Sequence, residues 1–118
     1  MKLVFLFSLL FVFSGCTKED AATSTTAQPS ASEIQEQLMA RGQAVYKLNC
    51  IACHNPDPSL DGATGPAIKG SSLELVQARV MKAAYPEGYK PKRDTKVMPQ
   101  LPHLEKEIPA IHAFLNGK

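Results

Sequence analysis

Two cysteines and a histidine lie within five consecutive residues of this chain, in the stretch KLNCIACHNP. Cys50 and Cys53 are three apart and His54 follows at once, so a single helical turn would project all three side chains toward one side. A disulfide or a thiol redox pair would use only the two cysteines, whereas a third kind of site would use the histidine as well. The rest of the sequence must therefore explain why the three residues stand together.

The first fifteen residues, MKLVFLFSLLFVFSG, are typical of a bacterial secretion signal. Lys2 precedes an apolar run, residues 3–13, that is too short to span a bilayer, and two small residues follow. Ser-Gly-Cys at 14–16 resembles the lipobox of bacterial lipoproteins, although Phe13 stands where that family usually has leucine. The resemblance implies that Cys16 receives a diacylglycerol thioether and becomes the mature N-terminus. The alternative is ordinary cleavage nearby, with Cys16 left as a thiol; either way, the mature protein is expected outside the cytoplasm.

Residues 16–32 are predicted to be a flexible tether between the lipid and the folded domain. After Cys16 they read TKEDAATSTTAQPSAS, with no aliphatic residue larger than alanine and no aromatic residue, and such a segment cannot bury a core. Residues 33–118 are predicted to form one domain, which we expect to be monomeric. The formal net charge of the chain is only +2, so no nucleic-acid partner is expected.

The first predicted helix leads into the cysteine motif. Ser32 and Gln35 have capping-box spacing, which places the start of the helix at Ser32, and the helix runs from there into Cys50. Gly42 within a helix costs about 1 kcal/mol relative to alanine, so its presence indicates close approach by another element. The apolar stripe of this helix comprises Ile34, Leu38 and Val45.

Two further helices complete an all-α domain with long, proline-rich loops and no strand alternation. Ser71 and Glu74 have the spacing of a second capping box, which starts the second helix after Ser71. The third helix lies within LEKEIPAIHAFLNGK and ends near Gly117. Pro109 predicts an irregular start for it, because a helix tolerates proline only in its first turn. The apolar stripes are Leu73, Val76, Val80 and Ala84 in the second helix and Leu104, Ile108, Ile111 and Leu115 in the third.

A loop-rich domain of this size is short of residues for a stable core, and a haem would fill it. Cys50 and Cys53 could then bond the two vinyl groups on one porphyrin edge, with His54 on the iron. A zinc site would need two more ligands, and His103 and His112 have no paired spacing. A thioredoxin-like dithiol belongs on a βαβ framework, and a disulfide would leave the histidine without a role. The sequence therefore predicts one covalently attached haem c.

Four stretches resemble the small class I cytochromes c, in that family's order along the chain. GQAVYKLNCIACH is similar to the family's N-terminal helix and haem-attachment motif, and TGPAIKG to the loop after the proximal histidine. VMPQL resembles the loop of the distal ligand, and EIPAIHAFL the C-terminal helix. The resemblance covers residues 34–116 and implies three main helices with long loops around the haem.

The resemblance also implies roles for single residues. Met98 is the expected sixth ligand of the iron, with His103 as its chief rival. The carbonyl of Pro66 is expected to accept a hydrogen bond from the proximal histidine. Tyr89, which the resemblance does not assign, is either a partner of a haem propionate or an ordinary loop aromatic. Gly42 and Tyr46 are expected to pack against the C-terminal helix near Phe114.

With both axial positions filled by side chains, the iron has no site for a substrate. The expected function is therefore that of a carrier rather than an enzyme: a membrane-tethered monohaem protein that passes single electrons between partners in the bacterial cell envelope. One alternative is a haem subunit of a larger oxidoreductase. Another is a haem sensor or enzyme with a displaceable ligand that binds CO, NO or peroxide.

A basic stretch between residues 79 and 96 leads into Met98. It has six basic residues against two acidic ones. Such a stretch is either a solvated face or a surface that steers docking onto acidic redox partners. The basic residues are Arg79, Lys82, Lys90, Lys92, Arg93 and Lys96.

Overall fold

The structure is a computed structural model and describes residues 28–118. Three α-helices follow in order: α1 (Ala31–Asn49), α2 (Leu73–Lys82) and α3 (Ile108–Asn116), the last preceded by a 3₁₀ segment, Pro102–Glu107. The described residues contain no strand, as the all-α prediction requires. No helix within them is both long and apolar enough to cross a bilayer. The predicted signal peptide, Cys16 and all of the tether before residue 28 lie outside the described residues.

The start of α1 differs from the prediction. Ser30, not Ser32, is the N-cap residue: its Oγ accepts a hydrogen bond from the Glu33 N–H at 3.4 Å, and the Glu33 carboxylate accepts one from the Ser30 N–H at 2.7 Å. Two serines, each followed three residues later by Glu or Gln, offered two capping boxes, and the ionised glutamate is the better acceptor. Residues 31 and 32, assigned to the tether, are therefore helical.

The other two helices begin close to their predicted starts. Ser72 rather than Ser71 caps α2, accepting a hydrogen bond from the Leu75 N–H at 3.2 Å. The predicted irregular start of the last helix is confirmed: the chain forms the 3₁₀ segment first, and Pro109 lies in the first turn of α3, where its missing N–H costs no helical hydrogen bond.

Gly42 is the point at which α1 packs closely on the backbone of α3. A Cβ at Gly42 would overlap the carbonyl oxygen of Ala110 and would lie 2.9 Å from the Cβ of Phe114. One turn further along α1, Tyr46 is fully buried, and its ring lies 5.3 Å from that of Phe114, centroid to centroid. The predicted packing of Gly42 and Tyr46 on the C-terminal helix is confirmed, and it fixes where the C-terminal end of α1 lies.

The core is small and lies mostly between α2, α3 and the 3₁₀ segment. The predicted stripes are wrong at Ile34 in α1 and Leu73 in α2, which are 45% and 46% exposed. Residues 31–37 at the start of α1 are all exposed. Ala84, assigned to the stripe of the second helix, lies beyond the end of α2 and is exposed. Buried aliphatic side chains are Val76 and Val80 from α2, Leu104 from the 3₁₀ segment, and Ile108, Ile111 and Leu115 from α3.

Gly42→Ala tests the helix contact. The added methyl group gains about 1 kcal/mol in helix propensity, but it overlaps a backbone carbonyl that cannot rotate away. We expect a net loss of about 1–3 kcal/mol in the free energy of unfolding, measured by chemical denaturation. Gln43→Ala, the adjacent exposed position, should change stability by less than about 0.5 kcal/mol. Equal stability of Gly42→Ala and the original protein would contradict the close contact.

Candidate functional site

The cysteine motif forms a single turn at the end of α1. The Cys50 N–H donates to the carbonyl of Tyr46 at 2.9 Å and closes the helix. The N–H groups of Cys53 and His54 both donate back to the carbonyl of Cys50, at 3.2 and 2.9 Å. The predicted turn is therefore present, and its position follows from that of α1. The Tyr46 side chain also stabilises this turn, because its hydroxyl donates a hydrogen bond to the carbonyl of Asn55 at 2.6 Å.

The His54 ring is oriented by a backbone carbonyl. Its Nδ1 lies 3.0 Å from the carbonyl oxygen of Pro66. Because a carbonyl oxygen can only accept a hydrogen bond, Nδ1 carries the proton and Nε2 keeps its lone pair. A histidine held in this way is prepared to bind a metal through Nε2. This contact is the one that the family resemblance assigned to Pro66.

Two glycines, which the sequence analysis did not single out, let the loop after His54 approach the motif. A Cβ at Gly65 would lie 2.5 Å from Cε1 and 2.6 Å from Nδ1 of His54, and one at Gly62 would overlap the carbonyl of Cys53. The N–H groups of Thr64 and Gly65 both donate to that carbonyl, at 3.2 and 2.8 Å. The loop is thus packed directly on the turn, and only glycine fits where its backbone meets the imidazole.

A large cleft brings the predicted site residues together. It encloses about 1280 Å³ not filled by atoms, counting the solvent at its mouth. Its walls include the side chains expected to hold the haem, and most of the remaining surface is apolar. Those predicted residues are Cys50, Cys53, His54, Pro66 and Met98; the apolar lining comes from residues such as Ile68, Val76, Val80, Leu101, Ile111 and Leu115.

Met98 and its rival differ in where they lie. Met98 is partly buried, lines the cleft and packs against the hydrophobic core. His103 is exposed at the start of the 3₁₀ segment and does not line the cleft. The chain after Met98 is anchored to α2, since the Leu101 N–H donates to the carbonyl of Val80 at 2.7 Å. Of the two candidates, only the methionine lies in the same cavity as His54.

The surroundings of Cys50 favour an uncharged sulfur. Both thiols are unbonded and half-buried. Burial, with a smaller contribution from the neighbouring Cys53, raises the pKa of the Cys50 thiol to about 11. A thiol redox pair needs a cysteine with a lowered pKa, because the thiolate is the nucleophile. A thioether carries no charge, so it is compatible with the same burial.

Aromatic and basic side chains form one part of the cleft lining. Tyr85 and Tyr89 are stacked, with ring centroids 5.3 Å apart and planes inclined by 8°, and the Arg79 guanidinium lies 4.2 Å from the centre of the Tyr85 ring. Lys92 and Arg93 line the same cleft. Tyr89, the candidate propionate partner, is therefore in the cavity, among cations that would complement carboxylates.

The residues present fit a haem. The cleft is apolar and open at its mouth. The two thiols in one turn match the vinyl groups of the haem, and the free Nε2 of the histidine matches its iron. Nearby cations match its propionates. The fold and the site define a small all-α protein with covalently bound haem c. The sequence model of the family described as Cytochrome c matches residues 39–117, and the chain belongs to this family. No curated protein and no solved structure gave a significant match.

Membership in the cytochrome c family identifies the chain as an electron-carrying protein that holds haem c through Cys50 and Cys53. Proteins of this family generally carry electrons rather than catalyse reactions, and their domains are typically extracytoplasmic. The predicted fold class and cofactor are thus confirmed.

Gly65→Ala tests the support of His54. The new methyl group would meet the imidazole, so the ring has to move and its hydrogen bond to Pro66 has to lengthen. We expect a loss of about 1–3 kcal/mol in the free energy of unfolding of the haem-loaded protein, together with a changed reduction potential, because that hydrogen bond tunes the ligand. Ala63→Ser, at an exposed position of the same loop, should change neither. An unchanged potential in Gly65→Ala would refute the steric argument.

Proposed function

We propose that this protein is a membrane-tethered monohaem carrier that moves single electrons between redox partners in the bacterial cell envelope. The observation that carries the proposal is the shared cavity of His54 and Met98. If both side chains bind the iron, no coordination position remains for a substrate, and electron transfer is the only chemistry left. An enzyme or gas sensor would need one of the two positions open.

Bound haem c supplies an iron that gains or loses one electron. The protein's own residues set the conditions for that exchange. Pro66 holds the proton on Nδ1 of His54, which increases the electron donation of the ring. Bound to the iron, the Met98 thioether would be a weak donor and would favour the reduced state. The aliphatic walls from α2 and α3 exclude water, and such a surrounding also influences the potential.

Met98→Ala tests the ligand assignment. We expect the potential to fall by on the order of 0.1–0.3 V, because axial ligands tune haem potentials over about 0.8 V. The ferric protein should lose its far-red sulfur-to-iron absorption band, and the ferrous variant should bind CO readily, whereas the original protein resists it. His103→Ala should leave spectrum, potential and CO resistance unchanged. Ready binding of CO by the unaltered protein at neutral pH would favour a sensor or enzyme.

Contacts within the basic stretch divide its six residues into two groups. Arg79 donates to the carbonyl of Ala83 at 2.6 Å, and Lys92 to that of Ala67 at 2.8 Å. Arg93 pairs with Asp61 at 3.2 Å. The other three, Lys82, Lys90 and Lys96, are exposed, and their ammonium groups take part in no hydrogen bond or ion pair within residues 28–118.

The exposed lysines support docking onto acidic partners. Lys90 and Lys96 flank the segment in which Lys92 and Arg93 line the cleft. A positive potential there would attract an acidic redox protein and raise its association rate. Single exposed charges contribute little to final affinity, so the proposed effect is on rate.

Charge reversal tests this surface with small redox reagents. In Lys90→Glu/Lys96→Glu we expect oxidation of the ferrous protein by the ferricyanide anion to slow about threefold to tenfold. Oxidation by a cationic cobalt trisbipyridine complex should become faster, and both effects should shrink at high salt. Lys106→Glu reverses one charge on the 3₁₀ segment, away from the cleft. It serves as the control for a charge reversal elsewhere on the surface. Equal slowing with both reagents would argue against a local potential.

The proposed tether rests on Cys16. The Ser-Gly-Cys sequence after an apolar run supports lipidation at this residue, and acyl chains add about 0.8 kcal/mol of membrane binding per buried CH₂. In the native host we expect Cys16→Ser to move the protein from the membrane to the soluble fraction and to remove the lipid mass from the mature chain. Thr17→Ser should remain in the membrane fraction. Retention of Cys16→Ser in membranes would contradict the lipid anchor.

A further inference from the structure

We infer that Arg93 is a positioning residue that ties the loop carrying Met98 to the loop that orients His54. The inference rests on the proposed ligation of the iron by Met98. It adds the residue that links the loop of Met98 to the loop that orients His54.

The Arg93 guanidinium makes three contacts with one short loop. Its Nη1 donates to the carbonyl oxygens of Thr64 at 3.0 Å and Gly62 at 3.3 Å. Its Nη2 lies 3.2 Å from Oδ2 of Asp61. These residues come shortly before Pro66, and the contacts span 29 and 31 positions of sequence. A planar fork of donors can reach two carbonyls and a carboxylate together, which a single ammonium cannot.

Asp61 extends this connection to the far side of Pro66. Its Oδ1 accepts a hydrogen bond from the Ala67 N–H at 2.7 Å. That bond, followed by the one from Arg93, holds the pKa of Asp61 below its usual value, so the carboxylate stays charged at neutral pH. Lys92 adds a bond from its ammonium to the carbonyl of Ala67 at 2.8 Å. The backbone on both sides of Pro66 is thus bonded to residues 92 and 93 directly or through Asp61.

The chain that carries Met98 depends on this anchor. In the part of the chain that the structure describes, no hydrogen bond involves residues 94–99. The segment is held at its later end by Leu101, bonded to Val80, and by Gln100, whose side chain donates to the carbonyl of Lys82 at 3.3 Å. Its earlier end is held by Lys92 and Arg93. Releasing Arg93 would leave the earlier end of this segment held only by the exposed Lys92 side chain.

The Arg93 side chain is 30% exposed, and its charge already faces Asp61. It is therefore poorly placed to act as one more docking cation. Its loss should lower the free-energy cost of displacing Met98 and, at the same time, loosen the loop that packs on the His54 ring. A residue that only stabilised the fold would affect the whole protein alike. It would not act mainly on the displacement of Met98 and on the loop that packs on His54.

The test is imidazole binding to the ferric, haem-loaded full-length protein in detergent. Imidazole has to displace the sixth ligand, so its dissociation constant reports how firmly that ligand is held. We expect Arg93→Gln to bind imidazole roughly threefold to tenfold more tightly, the range that corresponds to losing one or two partly exposed hydrogen bonds. Lys96→Gln, which removes the same charge from an unpaired position of the same segment, should bind as the original protein does.

Hydrogen exchange supplies the second measurement. In Arg93→Gln the amides of Thr64, Gly65 and Ala67 should exchange faster, while those of α1 keep their rates; Lys96→Gln should change neither. Asp61→Asn should reproduce both effects in part, and combining it with Arg93→Gln should add little, as expected for two members of one contact. Arg93→Lys should lie between the two extremes.

Each outcome decides whether Arg93 joins the two loops. Unchanged imidazole affinity in Arg93→Gln, or tighter binding without faster exchange at residues 64–67, would overturn the inference, because the two loops would then not be joined through this side chain. Met98→Ala distinguishes this failure from a failure of the proposed function. If imidazole binds Met98→Ala no more tightly than the original protein, the methionine is not the ligand, and amide exchange alone then decides whether Arg93 joins the loops.

Discussion

The position of the haem-attachment turn depends on one close contact, that of Gly42 with the carbonyl of Ala110. The residues that follow at intervals of four along α1 and its continuation each have a role in the site. Tyr46 is buried against Phe114, Cys50 closes the helix, and His54 ends the turn. Because a helix is stiff over this length, bringing α1 against α3 at Gly42 also determines where the cysteines and the histidine lie.

Around that turn the protein uses backbone groups more than side chains. The carbonyl of Cys53 accepts two N–H groups of the following loop, and the carbonyl of Pro66 orients the His54 ring. A backbone oxygen has no proton to gain or lose near neutral pH, so the acceptor that orients the His54 ring is fixed by the fold. The side chains that complete the site, among them Arg93 with Asp61, act on this backbone rather than on the ring itself. The small aliphatic core is sufficient because the cofactor forms the remaining part of the protein's interior.

Much of this site can be predicted from short stretches of sequence. The spacing of Cys50, Cys53 and His54 predicted the attachment turn, and the resemblance to the cytochrome c family predicted the roles of Pro66 and of the Gly42 contact. The errors were local as well: neighbouring serines offered alternative caps, so Ser30 and Ser72 were missed by one or two residues. Gly62 and Gly65 were missed because a glycine between prolines reads as a turn residue. Each position requires glycine because of an atom distant in sequence: the carbonyl oxygen of Cys53 at Gly62, and the His54 ring at Gly65.

The sequence by itself determined the chemistry: two thiols and an imidazole at helical spacing, and three segments able to form helices. These follow from interactions between near neighbours, which spacing reveals, whereas the contact of Pro66 was implied only by the family resemblance. Only the tertiary structure decided that Met98 and not His103 lines the cavity of His54, and that Arg93 contacts the loop around Pro66 rather than solvent. Such choices depend on how loops of about twenty residues or more fold back on the helices. Nothing in their composition specifies the partner that each side chain meets there.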